Sequence, residues 1–199
     1  ILYENSSLAT EDVKARFNEQ RTLSRDMLTS RRDVIGSGRI SFEAGIYPAE
    51  FMMKKFSLTE LKTALEQAVY LFPSPLFINH QEVRDSYSTN VSVRSLPEDK
   101  NRIWQAFRSG FFHFLEYLPD SARETGIEYG RLMKKIAEAV FFAGEFYSDL
   151  GYNDEMFELE FRLSGVENVL LTGIEPRVQR SGGRSEYRCR IPEIMVSIP

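Results

Sequence analysis

The sequence predicts an α+β fold: a mixed or mainly antiparallel sheet packed by a long amphipathic helix and a shorter helix, with an N-terminal helical extension. Three observations carry this. In residues 128–150, EYGRLMKKIAEAVFFAGEFYSDL, the side chains of Tyr129, Met133, Ile136, Val140, Ala143, Tyr147 and Leu150 recur at spacings of four and three, the period of one helix face. In residues 157–163, Phe157, Leu159, Phe161 and Leu163 alternate with Glu158, Glu160 and Arg162, the period of a half-buried strand. Ring-rich runs at 103–108 and 111–117 flank Ser109-Gly110, as in a hairpin.

The elements follow in order. Thr10 is positioned to cap a helix over about 11–34, with Glu11 and Asp12 in the first turn, where the helix dipole favours carboxylates. Its apolar side, Val13, Phe17, Met27 and Leu28, is interrupted by Gln20, Arg21 and Ser24, and its basic and acidic residues are nearly balanced, which predicts a solvated face. Residues 1–35 are therefore expected to be an extension or linker, and 36–199 a single α+β domain. After Gly36-Ser37-Gly38, the alternation of Ile40, Phe42, Ala44 and Ile46 predicts a strand that Pro48 stops. Ser57 and Glu60 have capping-box spacing ahead of a helix reaching about Tyr70.

Leu76 to Asn79 has the length of a buried strand, 81–90 is a polar connection, and Val91, Val93 and Ser95 suggest a weak strand before the hairpin. On the long helix, Arg131, Lys135, Glu138, Glu145 and Asp149 are predicted to face solvent. Phe142 falls on that polar stripe, either at the border of a wide apolar face or presented to a partner. Gly144, where a helix prefers Ala, predicts close approach of another backbone. Glu158, Glu160 and Arg162 are expected on the solvent side of their strand. A short edge is expected at 168–171, a hairpin at Gly182-Gly183, and an edge position or bulge at Pro192.

Composition bounds the chemistry. With 42% apolar and 27% charged residues the chain is globular, and fifteen Phe with nine Tyr can fill a core without any ligand. A lone cysteine, Cys189, makes no internal disulfide, so a reducing, cytoplasmic setting is expected. No apolar run approaches membrane-spanning length, and no signal peptide is recognisable; a beginning at Ile1 suggests a fragment. His80, His113 and Cys189 supply no spaced metal-ligand set, and neither Gly36-Ser37-Gly38 nor Ser181-Gly182-Gly183 has the context of a phosphate loop, so no metal and no cofactor are expected.

The net charge of -4 argues against a dominant polyanion-binding surface. Locally, however, Arg177, Arg180, Arg184, Arg188 and Arg190 form a candidate anion-binding set for a phosphate or an acidic partner. His113, in FFHFLEY, is expected half-exposed on the face opposite Phe112 and Phe114; with Trp104 and Arg108 it forms a candidate ligand pocket. Phe142 and Trp104 are the candidate partner-binding residues.

The order of GRISFEAGIYP, SLTELKTALEQA, WQAFRSGFFHFLEY and the long helix before LEFRLSGV resembles the carboxy-terminal region found behind the AlbA-like, Schlafen-type DNA-binding domain of some large bacterial proteins. The resemblance covers residues 38–171. In that family the nucleic-acid function belongs to the preceding domain, whose signature does not occur in this chain, and no functional residue is carried over. The expected function is thus a non-catalytic accessory or partner-binding domain of a larger intracellular, nucleic-acid-associated protein. Its partner would be another protein or a neighbouring domain of the same chain, and homo-oligomerisation is compatible with it. The alternative is a small-molecule sensor or hydrolase using the pocket near Trp104, Arg108 and His113.

Overall fold

The ring-rich hairpin and the alternating segments meet in a single sheet. The computed structural model describes residues 11–29, 40–48, 50–69, 75–95, 101–119, 121–152, 157–172, 187–188 and 193–198. Among them, the strands β1 (Ser41–Pro48), β2 (Tyr87–Ser88), β3 (Ser92–Arg94), β4 (Arg102–Phe107), β5 (Phe112–Tyr117), β7 (Phe157–Ser164) and β10 (Glu193–Ile198) form one seven-stranded sheet. Its order is β10-β7-β1-β5-β4-β3-β2, and every neighbouring pair is antiparallel. A smaller sheet joins β6 (Ile127–Glu128), β8 (Leu170–Thr172) and β9 (Tyr187–Arg188). The helices are α1 (Glu11–Thr29), α2 (Leu58–Ala68), α3 (His80–Arg84), α4 (Ala122–Thr125) and α5 (Tyr129–Asp149). The chain is an α+β protein whose mainly antiparallel sheet is packed by helices, the longest of them α5.

Local chemistry explains several boundaries. Ser57 accepts from the Glu60 amide at 3.2 Å while Glu60 accepts from the Ser57 amide at 2.7 Å, so the capping box starts α2 as its spacing predicts. The β4–β5 hairpin closes through Gly110 at φ 90°, a left-handed conformation that glycine adopts without steric cost. The phenol of Tyr147 on α5 shares its one proton between the carbonyls of Ile46 at 2.9 Å and Gly110 at 2.5 Å, tying that hairpin to the end of β1.

Strand alternation splits the sheet into an apolar face and a polar one. Phe42, Ala44, Ile46, Trp104, Phe112, Phe114, Leu159 and Phe161 belong to the main core, together with Leu61 and Leu65 of α2 and Phe142 and Phe146 of α5. Phe112 and Phe142 have ring centroids 4.9 Å apart, and Phe77 and Phe114 are at 4.5 Å. On the other face, Glu43, Gly45, His113, Gln105, Glu158 and Glu160 share one side by register, and α1 covers them.

Several elements differ from what sequence pattern predicts. Residues 76–79 are not a strand: Phe77 and Ile78 are buried in irregular backbone, and Asn79 caps α3 by accepting from the Glu82 amide at 2.9 Å. The Leu76 and Phe77 amides are satisfied instead by the Glu138 carboxylate, at 2.5 and 3.0 Å.

The buried face of α5 is rotated from the expected one. Lys135, Glu138, Ala139, Phe142, Ala143, Phe146 and Tyr147 point inward, whereas Tyr129, Met133 and Val140 are exposed. Two apolar stripes compete on this helix, and the one carrying Phe142 and Phe146 has far more ring surface to remove from water. Lys135 and Glu138 tolerate burial because each has an oppositely charged or amide partner. Gly144 has open space where a Cβ would stand, so no close backbone approach explains it.

Helix α1 turns its expected apolar side inward, with Phe17 buried and Val13 and Met27 packed against core clusters, and its polar interruption is buried with it. Phe17, Arg21 and Ser24 face the sheet, so the apparent polar interruption belongs to the inward face. It packs as a layer of the domain through contacts to β4 and β5. The expected boundary at 35–36, the Thr10 cap, the Gly182-Gly183 hairpin and Pro192 lie outside the described residues; β10 does take an edge position.

Candidate functional site

Between α1 and the sheet lies a buried polar seam. His113 on β5 and Glu43 on β1 face the same side, and α1 brings Ser24, Arg21 and Arg25 down onto them. His113 Nδ1 is 2.8 Å from Ser24 Oγ, and its Nε2 is 2.8 Å from Glu43 Oε1. Arg25 Nε donates to Glu43 Oε1 at 3.1 Å, and the two terminal nitrogens of Arg21 donate to Glu160 at 3.1 and 2.9 Å. Gly45 is the residue that allows this: a Cβ there would stand 2.5 Å from Arg21 Nη2.

Electrostatics fixes the protonation of the seam. Burial pushes the His113 imidazole below its ordinary value, against the pull of Glu43, so the ring is neutral at neutral pH. Neutral imidazole carries one N–H. Nε2 therefore donates to Glu43 and Nδ1 accepts from the Ser24 hydroxyl. Burial raises the Glu43 carboxyl, but the hydrogen bonds from His113 and Arg25, the charge of Arg25 and, once acid protonates the ring, that of His113 outweigh it and hold the group at about 2.

Hydroxyl, imidazole and carboxylate are thus connected in the order that activates a serine nucleophile. Both Ser24 and His113 are 0% exposed, however, and the cleft of about 140 Å³ beside them is lined by Lys14, Phe17, Asn18, Arg21, Tyr47, Glu158 and Glu160. A substrate does not reach the hydroxyl in this structure. The hydrogen bonds and ion pairs of the seam tie α1 to β1, β5 and β7.

The candidate ligand pocket of Trp104, Arg108 and His113 is not assembled. Trp104 pairs with Phe114 and lies on the apolar face, whereas His113 pairs with Gln105 on the opposite face. Arg108, in the hairpin turn, donates through Nε to the Phe56 carbonyl at 2.8 Å. His113 is fully buried rather than half-exposed, because α1 covers its face; Glu158 is buried for the same reason.

Phe142 and Trp104, the candidate partner-binding residues, are 2% and 0% exposed and belong to the core, so neither is presented to a partner. Of the candidate anion-binding set, Arg188 falls on β9 opposite Leu170. Arg177, Arg180, Arg184 and Arg190 lie outside the described residues.

Two surface features remain. One is an apolar stripe on the outer side of α5, with Tyr129, Met133, Val140 and Phe141 exposed by 42%, 43%, 40% and 65%. The other is a cavity of about 350 Å³ where the first turns of α5 and the α4 segment overhang the sheet. Its floor is a cross-strand row, Phe42–Glu116–Arg102, over which Arg131 and Lys135 project from successive turns of α5. Lys135 is bonded to Glu116 and lies 5.5 Å from the Phe42 ring centroid. Burial lowers the Lys135 ammonium; Glu116 raises it, and the charges of Arg102 and Arg131 depress it further.

Arg21, Ser24, Arg25, Glu43, Lys135 and Glu116 did not stand out as a set in the sequence, because their partners are far away in the chain. The available signals were local. Phe17, Arg21 and Ser24 keep helical spacing, so polar residues continue an apolar face, and a glycine sits in mid-strand at position 45.

The fold and these sites define a layered α+β protein with a closed ionic seam on one face and an aromatic core on the other. Comparison with protein-family models, curated proteins and solved structures gives no match. Among the described residues, no helix is long and apolar enough to cross a membrane. Among the same residues, no group of three or more His, Cys, Asp and Glu side chains is placed to hold a metal ion.

Proposed function

We propose that this chain is a non-catalytic accessory domain of a larger cytoplasmic protein, and that it docks the apolar side of a helix from a partner protein or neighbouring domain against the outer stripe of α5. The observation that carries this reading is the exposure of Tyr129, Met133, Val140 and Phe141 on one side of a helix whose opposite side is buried in the core. Gly144, with open space at its Cβ position on the same outer side, leaves room for a helix backbone to come close. Met133 adds a flexible side chain suited to an adaptable contact. Nucleic-acid association of the larger protein rests on the resemblance to the region behind Schlafen-type DNA-binding domains, and the single cysteine supports a reducing compartment.

Photo-crosslinking in the full-length protein tests the docking. A benzophenone side chain at position 141 is expected to crosslink one defined partner surface. The pair Met133→Glu and Val140→Glu is expected to abolish that product while leaving thermal unfolding nearly unchanged, since both positions are exposed. Crosslinking from position 141 as diffuse as that from the exposed Thr22 on α1 overturns the reading.

A further inference from the structure

We propose that the cavity beneath the first turns of α5 binds a small amphipathic carboxylate, its anion held by Arg131 and Lys135. This site is separate from the α5 stripe and stands without it. The cavity, about 350 Å³, falls at the small end of the range of ligand sites.

Its charges are unequal in their commitments. Arg102 is paired with Glu82 outside the cavity, and Lys135 is bonded to Glu116 on the floor. Arg131 forms no ion pair among the described residues, lines the mouth, and lies one helical turn before Lys135. A Lys ammonium has three N–H donors, so Lys135 keeps donors beyond the one used by Glu116. A carboxylate between these two cations would accept from both the exposed guanidinium and the buried ammonium, and burial strengthens the second of these contacts.

The remaining walls select the rest of the ligand. Phe42, Leu118, Ile127 and Leu132 supply apolar surface for an uncharged body. Glu116 and Glu128 also line the cavity, and their charges oppose a second negative charge. A monoanion is therefore favoured over phosphate, and an amine finds its place already occupied by three cations.

The test is titration of the full chain with octanoate, followed by amide resonances from Gly126 to Lys135, with inorganic phosphate and hexylamine run in parallel. Octanoate is expected to give saturable shifts. Arg131→Gln should weaken binding about tenfold or more, and Arg131→Lys should weaken it less, because a charge-assisted hydrogen bond is lost in the first and partly kept in the second. Arg131 is exposed, so these variants are expected to melt with the parent. Thr125→Trp, at the exposed rim, provides a second block that leaves the charges alone and should abolish the shifts. Absence of saturable shifts, equal affinity in Arg131→Gln, hexylamine acting at the same resonances, or phosphate binding as tightly as octanoate overturns the proposal.

Discussion

Arg21 meets Glu160 with both terminal nitrogens, 3.1 and 2.9 Å from the two carboxylate oxygens, and the pair lies across the bare backbone of Gly45. It joins the first described helix to a strand late in the chain. Because Arg21 is only 6% exposed and also stands 3.5 Å from Glu43, its removal takes a buried cation away from two carboxylates at once, leaving Glu160 with Arg162 and Glu43 with Arg25. Arg21→Met is expected to cost about 3–5 kcal/mol in urea unfolding, the range for breaking a buried ion pair from one side. Arg21→Met combined with Glu160→Leu should recover part of that loss. A loss below about 0.5 kcal/mol, as for an ordinary surface site, contradicts the burial seen here.

Gly45→Ala tests the same contact from below. The new methyl would meet Arg21 Nη2 at 2.5 Å, so the guanidinium must move off Glu160 or Glu43. The expected cost is about 1–3 kcal/mol. In the Arg21→Met background it should largely vanish, a non-additivity that a double-mutant cycle reads directly.

The seam also sets a pH dependence. Burial depresses His113, so between its folded value and the ordinary 6.5 the unfolded chain binds the proton more readily, and stability declines as pH falls below about 6.5. Glu43, held at about 2 against an ordinary 4.5, adds a second loss as pH falls from 4.5 towards 2. Both contributions have the same sign. Urea midpoints at about pH 7, 5.5 and 4 should fall in sequence, and Glu43→Gln should flatten the lower part of the curve. A midpoint unchanged between about pH 7 and 5.5 counts against a buried neutral His113.

Adjacent phenylalanines report which side of α5 is buried. Phe142→Ala should cost about 3–5 kcal/mol, because ring contacts to Phe77, Phe112 and Phe146 are lost together. Phe141→Ser, at 65% exposure, should cost about 1 kcal/mol or less. The opposite ranking in chemical unfolding would contradict the burial of the side of α5 that carries Phe142 and Phe146.

Glu138→Ala removes the acceptor for the Leu76 and Phe77 amides. Leaving those donors unsatisfied should cost about 1–3 kcal/mol. Hydrogen exchange at the two amides should accelerate well before the amides of β5 respond, and equal acceleration in both would show that the carboxylate does not act locally.

The parts of the fold legible in the sequence are those that short-range chemistry decides. Alternation locates β1 and β7, Ser57 with Glu60 starts α2, and Ser109-Gly110 turns the central hairpin. The rotation of α5 was not legible, because Met133 and Val140 carry the same period as Phe142 and Phe146 and only the sheet's aromatic face chooses between them. Nor was the inward direction of Arg21 and Ser24. Their polarity reads as solvent exposure until Glu43, His113 and Glu160 are known to lie opposite, and that depends on three strands assembling side by side. The same dependence hid the cavity, since Arg102 and Glu116 become its floor only through cross-strand register.

Position in the chain gives the Arg21–Glu160 bridge a further consequence, one of timing. The two residues are 139 apart in sequence, so when α1 leaves the ribosome the Glu160 carboxylate does not yet exist. A helix with an apolar inward stripe would emerge as a sticky, unprotected surface and invite aggregation during that delay. The middle of α1, built around Arg21, Ser24 and Arg25, breaks that stripe between Phe17 and Met27 and can wait in water. The Arg21–Glu160 bridge can therefore close only once β7 lies beside β1, which makes it one of the last contacts of α1 able to form.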